Sequence, residues 1–597
     1  MVKRQPWYQV STQLVDTAMG RTPADLVIRN GQWVNVHTRE IIPDTDIAVT
    51  AGRIAYCGPD SSYCIGPSTH VIEAHGRYIV PGLLDAHMHI ESSMLTVTEY
   101  VRAVIPHGTT GIFADPHEIA NVFGLLGVRL MVDEASKMPI NVYIQMPSCV
   151  PSAPGLERPG ATISPDDVAE AMRWPGIIGL GEMMNSPGVF SNNAAMHAEM
   201  AATSKAGKTI GGHYASPDLG RTFHAYIAGG PADDHEGTRE IDAIERARRG
   251  LRPMLRLGSA WYDVAAQITA ITEKGLDPRQ FILCTDDVHA GTLVQEGHMD
   301  RVMRHAVGLG LDPVIAIQTM TLNTAQHFGV ERDLGSVTPG RYADIVLASD
   351  LRNFSAEMVI ADGEVVAENG KLLFDLPRYQ YPPEVQQSVK LKRELNVGDF
   401  QVIAPLGTNG DVLAHVIGVI ENQAPTRHLT MRLRVENGEV QPNSEIARLA
   451  LIERHRATGE VVNGFVQGFG FNVPCAVAAT VAHDSHHLLV VGTSKIDMAL
   501  AANTLAKIGG GVIVVRDGQI QALVELPIAG LMSTERAEIV AAKSEKMVRA
   551  MQDCGCQLNN AYMQLSLLAL VVIPELRISD LGLVDVTQFK HISVIEA

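Results

Sequence analysis

Between residues 79 and 289 the sequence returns eight times to a short apolar run. In order these runs read IVPGLLDAHMH, TTGIFADPHE, INVYIQMPS, GIIGLGEMMN, KTIGGHYA, YIAGGPADDHE, RPMLRLGSA and FILCTDDVH, with helix-like stretches between them. Eight strands alternating with helices over roughly 250 residues is the arithmetic of a (β/α)8 barrel, in which polar residues at the C-terminal strand ends carry the chemistry. Here the first, second, fourth, fifth, sixth and eighth runs carry His, Asp or Glu toward their ends. No other feature of the chain restricts its fold as strongly, and it assigns the barrel to residues 81–334.

The flanks are written differently. Residues 24–80 are short alternating runs punctuated by Asn-Gly and Ala-Gly, as hairpins are. A similar run returns at residues 335–373, so the two ends are expected to pair into one small β-sandwich domain (1–80 with 335–388) around the inserted barrel. Residues 389–597, with Gly509-Gly510-Gly511 before VIVVRDGQI, mix strand and helix patterns and read as a C-terminal α+β domain. The fold class expected is α/β in three parts, as a chain of 597 residues is too long for a single core.

A formal charge of −18 argues against nucleic acid or an anionic membrane as the main partner, since both reward clustered Lys and Arg. The seven cysteines are scattered and form no Cys-x-x-Cys, which fits a reducing compartment. The N-terminus leads into no apolar stretch. The longest apolar run, 565–573, falls far short of the ~18–20 residues a membrane span requires. A cytoplasmic location is expected.

His87 and His89 end the first run, and alternate strand residues share a side, so both imidazoles can reach one metal ion. Glu182, His213, His235 and Asp286 occupy later strand ends. Singly, each has a plain structural reading, as a helix cap or a satisfied core histidine. Together, at successive strand ends, they suit one or two divalent metals. Asp287 adjoins Asp286, and Asp286 is favoured as the inward carboxylate. His117 and Glu118 end the second run, and Glu91, Ser92 and Ser93 follow the histidine pair closely enough to line a pocket. In the last segment His483, Asp484, His486 and His487 form a polar cluster that suits a further metal, a closing loop or an interdomain contact. The His-x-Glu…Pro-Cys-x-x-Cys signature of the zinc nucleobase deaminases is incomplete: His89-Ile90-Glu91 is present, but Pro474-Cys475 leads only into Ala476-Val477-Ala478.

PGLLDAHMH, MTLNTAQHFG and GSVTPGRYADIVL resemble the amidohydrolase superfamily. DAHMHIESSM, GTTGIFADPHEIANV, GLGEMMN, CTDD, HDSHH and LVVIPELRISDLG are similar to the bacterial adenine deaminase family, over about residues 24–597. The fifth run departs from the family at GGHYASPDLG, and HDSHH departs in the residue after its second histidine. The resemblance implies one metal on His87 and His89, completed by Asp286. It implies a second on His213 and His235, with Glu182 bridging. The ions implied are Mn2+ or Fe2+, with Zn2+ also accepted. The activity implied is hydrolytic deamination of adenine to hypoxanthine by a metal-bridged hydroxide, with Asp286 moving protons and His117 and Glu118 serving the purine.

Two other readings compete. One keeps the metals but changes the substrate to another amino-purine or a cyclic amide, which fold cannot exclude. The other is a non-catalytic scaffold, against which the full set of ligand-type residues speaks. The partner expected is a small molecule, with a homodimer as the assembly.

Overall fold

The computed structural model describes residues 4–408, 410–421, 423–559 and 561–596. Its barrel strands are β1 (Leu83–Met88), β2 (Thr109–Ala114), β3 (Asn141–Met146), β4 (Ile177–Met183), β5 (Thr209–Gly212), β6 (Asp233–Asp234), β7 (Arg252–Arg256) and β8 (Ile282–Cys284). Strands β1 to β5 pair in parallel as one sheet and β6 to β8 as another. Two seams close the ring. Ala232 N donates to Ile210 O at 2.9 Å between β5 and β6, and Asp286 N donates to His87 O at 3.0 Å between β8 and β1. Every residue of β1, β2 and β8 is buried, as expected of parallel strands covered on both faces.

The sixth run needs a correction. Residues 226–229 belong to the helix Arg221–Gly229, and only Asp233–Asp234 are strand. The apolar start of that run is the end of a helix, whose buried pair is Tyr226 and, three residues before it, Phe223. A further helix, Trp7–Ala18, precedes the first strand and buries Val10, Leu14 and Thr17 along one stripe.

The two ends of the first half do pair. Strands from 26–81 and 345–372 form one nine-stranded sheet, joined where Tyr78–Pro81 runs antiparallel to Ile345–Ala348. Their side chains, among them Ile28, Ile47, Ile79, Ile345 and Ile360, share one buried cluster. The last part of the chain is a second nine-stranded sheet with the helices Lys495–Ile508 and Ala537–Asp553. The first of these helices is capped by Ser494, which accepts from Asp497 N, and stops at Gly509 in the left-handed region.

This last part sits on the strand-end side of the barrel. One apolar cluster runs from Ile112, Ile144 and Leu180 in the barrel to Leu489, Val514 and Leu565 beyond it. Polar ties reinforce the contact: Arg158 Nε donates to Asp580 at 2.6 Å and Ser533 N to Met94 O at 2.7 Å. The fold thereby roofs the place where catalytic residues of a barrel gather.

One buried charge carries a stability cost. Glu199, on the helix Ala194–Lys205, is 1% exposed, and its Oε2 has no hydrogen-bond partner among the described residues. Burial pushes its pKa from 4.5 up to about 8. Its contribution to stability is therefore full below about pH 4.5 and is lost as the pH rises through about 8. Glu199→Gln should unfold at higher urea than the parent at pH 9, by on the order of a few kcal/mol, and lose that advantage near pH 5.

Candidate metal and catalytic centre

The strand ends converge. Around Glu182, at the end of β4, His213 Nδ1 lies at 2.5 Å, His235 Nε2 at 3.0 Å and His89 Nε2 at 3.6 Å. Asp286 stands opposite, 3.3 Å from His89 Nε2 and 3.8 Å from His87 Nε2. The ring of His87 stacks on that of His235, with centroids 3.9 Å apart. All six residues named for metals from the sequence are thus in one place. Asp286, rather than Asp287, is the inward carboxylate. Asp286 takes φ +61, a left-handed turn that an L-residue holds only when its surroundings enforce it. Here the bond from its N to His87 O does so.

The backbone prepares these side chains. His89 Nδ1 faces the Asp115 carbonyl at 2.9 Å. A carbonyl only accepts, so Nδ1 carries a proton, and Nε2 is turned toward Glu182 and Asp286. Against its burial, their charges raise the His89 pKa, and a metal bound there would replace the Nε2 proton. Asp115 accepts Glu182 N at 2.8 Å. This approach requires Gly181, where a Cβ would lie 2.1 Å from Asp115 Oδ2. Behind β8, Asp85 accepts Thr285 N at 3.0 Å and sits 3.0 Å from His298 Nε2.

Electrostatics follow from burial against pairing. Burial alone would raise the pKa of Glu182, but His213, His235 and His89 outweigh it and hold the carboxylate well below its ordinary range. Asp286 is likewise lowered against its burial, by His89, Arg256 and His235. His87 is driven down by burial and by the neighbouring His235 and His89, so it is neutral. Its Nε2 is buried with no hydrogen-bond partner among the described residues, the condition of a ligand nitrogen. Donor triads within 4.8 Å, such as His87, His89 and Asp286, or His87, Glu182 and His235, fit divalent ions of borderline character.

Three participants were not read from the sequence. Arg256 ends β7, whose run was passed over because it ends in no His, Asp or Glu. Its guanidinium bonds Asp286 at 2.8 Å and Asp263 at 2.6 Å and also pairs with Glu236. An arginine closing the apolar RPMLR was the available signal. Glu236, beside His235 in DDHEG, lies 3.6 Å from His235 Nε2, and Asp115 supports Glu182 as described.

The remaining sequence candidates divide. His117 and Glu118 do reach the centre. His117 Nδ1 is 3.2 Å from Glu182 Oε1, and its Nε2 is 3.4 Å from Glu118 Oε1. Both line a cavity of about 1300 Å³ together with His89, Glu182, His213, His235, Asp286, Asp287 and Trp261. Glu91, Ser92 and Ser93 do not line it, contrary to expectation. They form a 3-10 turn that buries Glu91 against Ile119 N (3.2 Å) and bonds Ser93 Oγ to Ile90 O (2.6 Å). Ser92 touches the cavity wall only through its hydrogen bond to Asp287.

Comparison with known proteins places this site in a class. Residues 78–366 match the amidohydrolase family, and residues 423–590 match the adenine deaminase C-terminal domain. Among relatives, a protein named adenine deaminase from Ruegeria sp. (strain TM1040) is 65% identical over 590 residues, 99% of this chain and 98% of that one. Adenine deaminase 3 of Rhizobium meliloti (strain 1021) is 62% identical over 593 residues, 99% of each chain. The adenine deaminase of Moorella thermoacetica is 50% identical, again over 99% of both. The barrel is therefore that of a metal-dependent amidohydrolase. Within that class, the chain belongs to the adenine deaminase family.

Two outcomes check the geometry. Glu182→Gln removes the shared carboxylate and should cut the metal bound per folded chain, read by atomic emission alongside circular dichroism. Arg256→Gln frees Asp286 from its clamp and should cost about 10–100-fold in metal affinity or kcat.

Proposed function

We propose that this protein deaminates adenine hydrolytically to hypoxanthine and ammonia at a centre of two divalent metal ions. The observation that carries the reading is the convergence of His87, His89, Glu182, His213, His235 and Asp286 at the strand ends of the barrel, donor atoms lying within 4.8 Å in overlapping groups. Relatives that share this chain almost end to end carry the adenine deaminase name. His87, His89 and Asp286 would hold one ion and His213 and His235 the other, with Glu182 between. Mn2+ and Fe2+ suit the mixed imidazole and carboxylate set, and Zn2+ fits it too. Such ions, when bound, supply hydroxide at neutral pH by lowering the pKa of water.

The chain's own groups supply the rest. Asp286, kept ionised by His89 and Arg256, accepts the proton of the attacking hydroxyl and delivers it to the departing amino nitrogen. His117 and Glu118 form the wall between the metal side of the cavity and its roof, and so bound the space left for the purine. Trp261, beside Arg256 with the guanidinium carbon 5.1 Å from its ring centroid, offers a flat apolar surface to a base. In this reading the chain divides at residues 81, 335 and 389, with the barrel carrying the centre and the last part covering it.

We read the role as salvage of free purine in the cytoplasm by a homodimer; a net charge of −18 argues against nucleic acid or an anionic membrane as the partner. No helix among the described residues is long and apolar enough to cross a membrane.

Purified protein loaded separately with Mn2+, Fe2+ and Zn2+ should release ammonia from adenine, with hypoxanthine as the product by chromatography. His89→Ala should show none. Metal-loaded protein that leaves adenine untouched but hydrolyses a cyclic amide would overturn the reading.

A further inference from the structure

The C-terminal part of the chain reaches the cavity through the segment 482–487, and two of its histidines close on one barrel carboxylate. His483 Nδ1 lies 2.9 Å from Glu118 Oε1, and His486 Nε2 bonds Glu118 Oε2. These three donors resemble a further metal site, but the hydrogen bonding argues otherwise. His486 Nδ1 accepts the Ala482 N–H at 3.2 Å, so the proton of the neutral ring must sit on Nε2. A nitrogen that carries a proton donates to Glu118 and has no lone pair for a cation. This is the reverse of His89, whose Nδ1 donates to a backbone carbonyl and whose Nε2 faces Asp286 and Glu182.

Glu118 is therefore a carboxylate pinned by His486 and used to orient His483. The arrangement is that of a carboxylate–imidazole pair, in which the acid fixes one ring nitrogen and leaves the other for chemistry. His483 lines the same cavity as the metal-side residues, and no described residue hydrogen-bonds to its Nε2. His117 is placed differently, with Nδ1 3.2 Å from Glu182 on the metal side and Nε2 3.4 Å from Glu118. Glu118, Asp484 and Asp287 also favour the charged ring, lifting the His483 pKa to about 9 against its burial.

We propose that His483 is a catalytic acid of this enzyme, an imidazolium supplied by the C-terminal domain, oriented by Glu118 and directed at a ring nitrogen of the purine. The proposal rests on adenine deamination as the reaction. As the attacking oxygen bonds to C6, the C6–N1 π pair moves onto N1, and His483 Nε2 gives N1 its proton. Asp286 carries the hydroxyl proton to the amino nitrogen. The C6–N6 bond then breaks, ammonia leaves with that electron pair, and the C6 carbonyl forms. His483 recovers its proton from the water that enters for the next turnover. Of that water's two hydrogens, one leaves in ammonia and one stays on N1 of hypoxanthine.

The test compares wild type, His483→Gln, His483→Ala and Glu118→Gln, each assayed on adenine with its metal content measured. In the His483 variants kcat should fall by about 10²–10⁴-fold with KM and metal per chain little changed. Added imidazole should restore part of the rate of His483→Ala. Glu118→Gln should lower kcat without lowering metal content, which keeps the test informative if the His483 variants fold poorly. A kcat in His483→Gln within about threefold of wild type would sink the proposal, as would a loss that follows metal or KM. Wild type with no activity on adenine would bring down the functional reading and this one together. Active wild type with unimpaired variants brings down this one alone.

Discussion

The structure is organised around a buried negative charge. Glu182, 4% exposed, could not remain ionised in a barrel interior without compensation. Its compensation comes from imidazoles on other strands: His89 after β1, His213 after β5 and His235 after β6. Each strand must therefore hold its register to within a fraction of a residue. Gly181 admits the Asp115 carboxylate to the amide of Glu182, and Asp286 holds an unfavourable φ so that the last strand can close on the first. These local costs are tolerable because the surrounding apolar cluster is continuous and the ring has no free edge.

Opposite charges are distributed around this centre with a consistent logic. Arg256 ties Asp286, Asp263 and Glu236 to one guanidinium, as a side chain with several rigid donors can. His89 is oriented by a backbone carbonyl, that of Asp115, which takes Nδ1 and turns Nε2 toward the carboxylates. The roof uses the same device with the opposite outcome: a backbone N–H on His486 Nδ1 turns that histidine into a donor. Which partner a single ring nitrogen meets thus separates a residue that holds a metal from one that holds a carboxylate.

Much of the barrel was legible because its signals are local. An apolar run followed by a polar residue says strand and strand end, and spacing by two says same side. The sixth run misled because its apolar start, residues 226–228, is the last turn of a helix and spells the same text as a short strand. Arg256 went unread because a charged residue ending an apolar strand is not by itself a ligand. Glu91, Ser92 and Ser93 looked close to the pocket in the chain, but a 3-10 turn carries them beneath it.

By itself the sequence determined the barrel, the inserted arrangement of the first half and the kinds of donor at the strand ends, since periodicity and residue chemistry are properties of short segments. Only the tertiary structure decided that Asp286 rather than Asp287 turns inward, and that Arg256 clamps it. It also decided that His486 meets Glu118 across 368 positions of chain. No pattern within a segment encodes a contact of that span. It exists because the C-terminal sheet packs over the barrel mouth, and buried polar atoms there must find partners wherever the packing brings them.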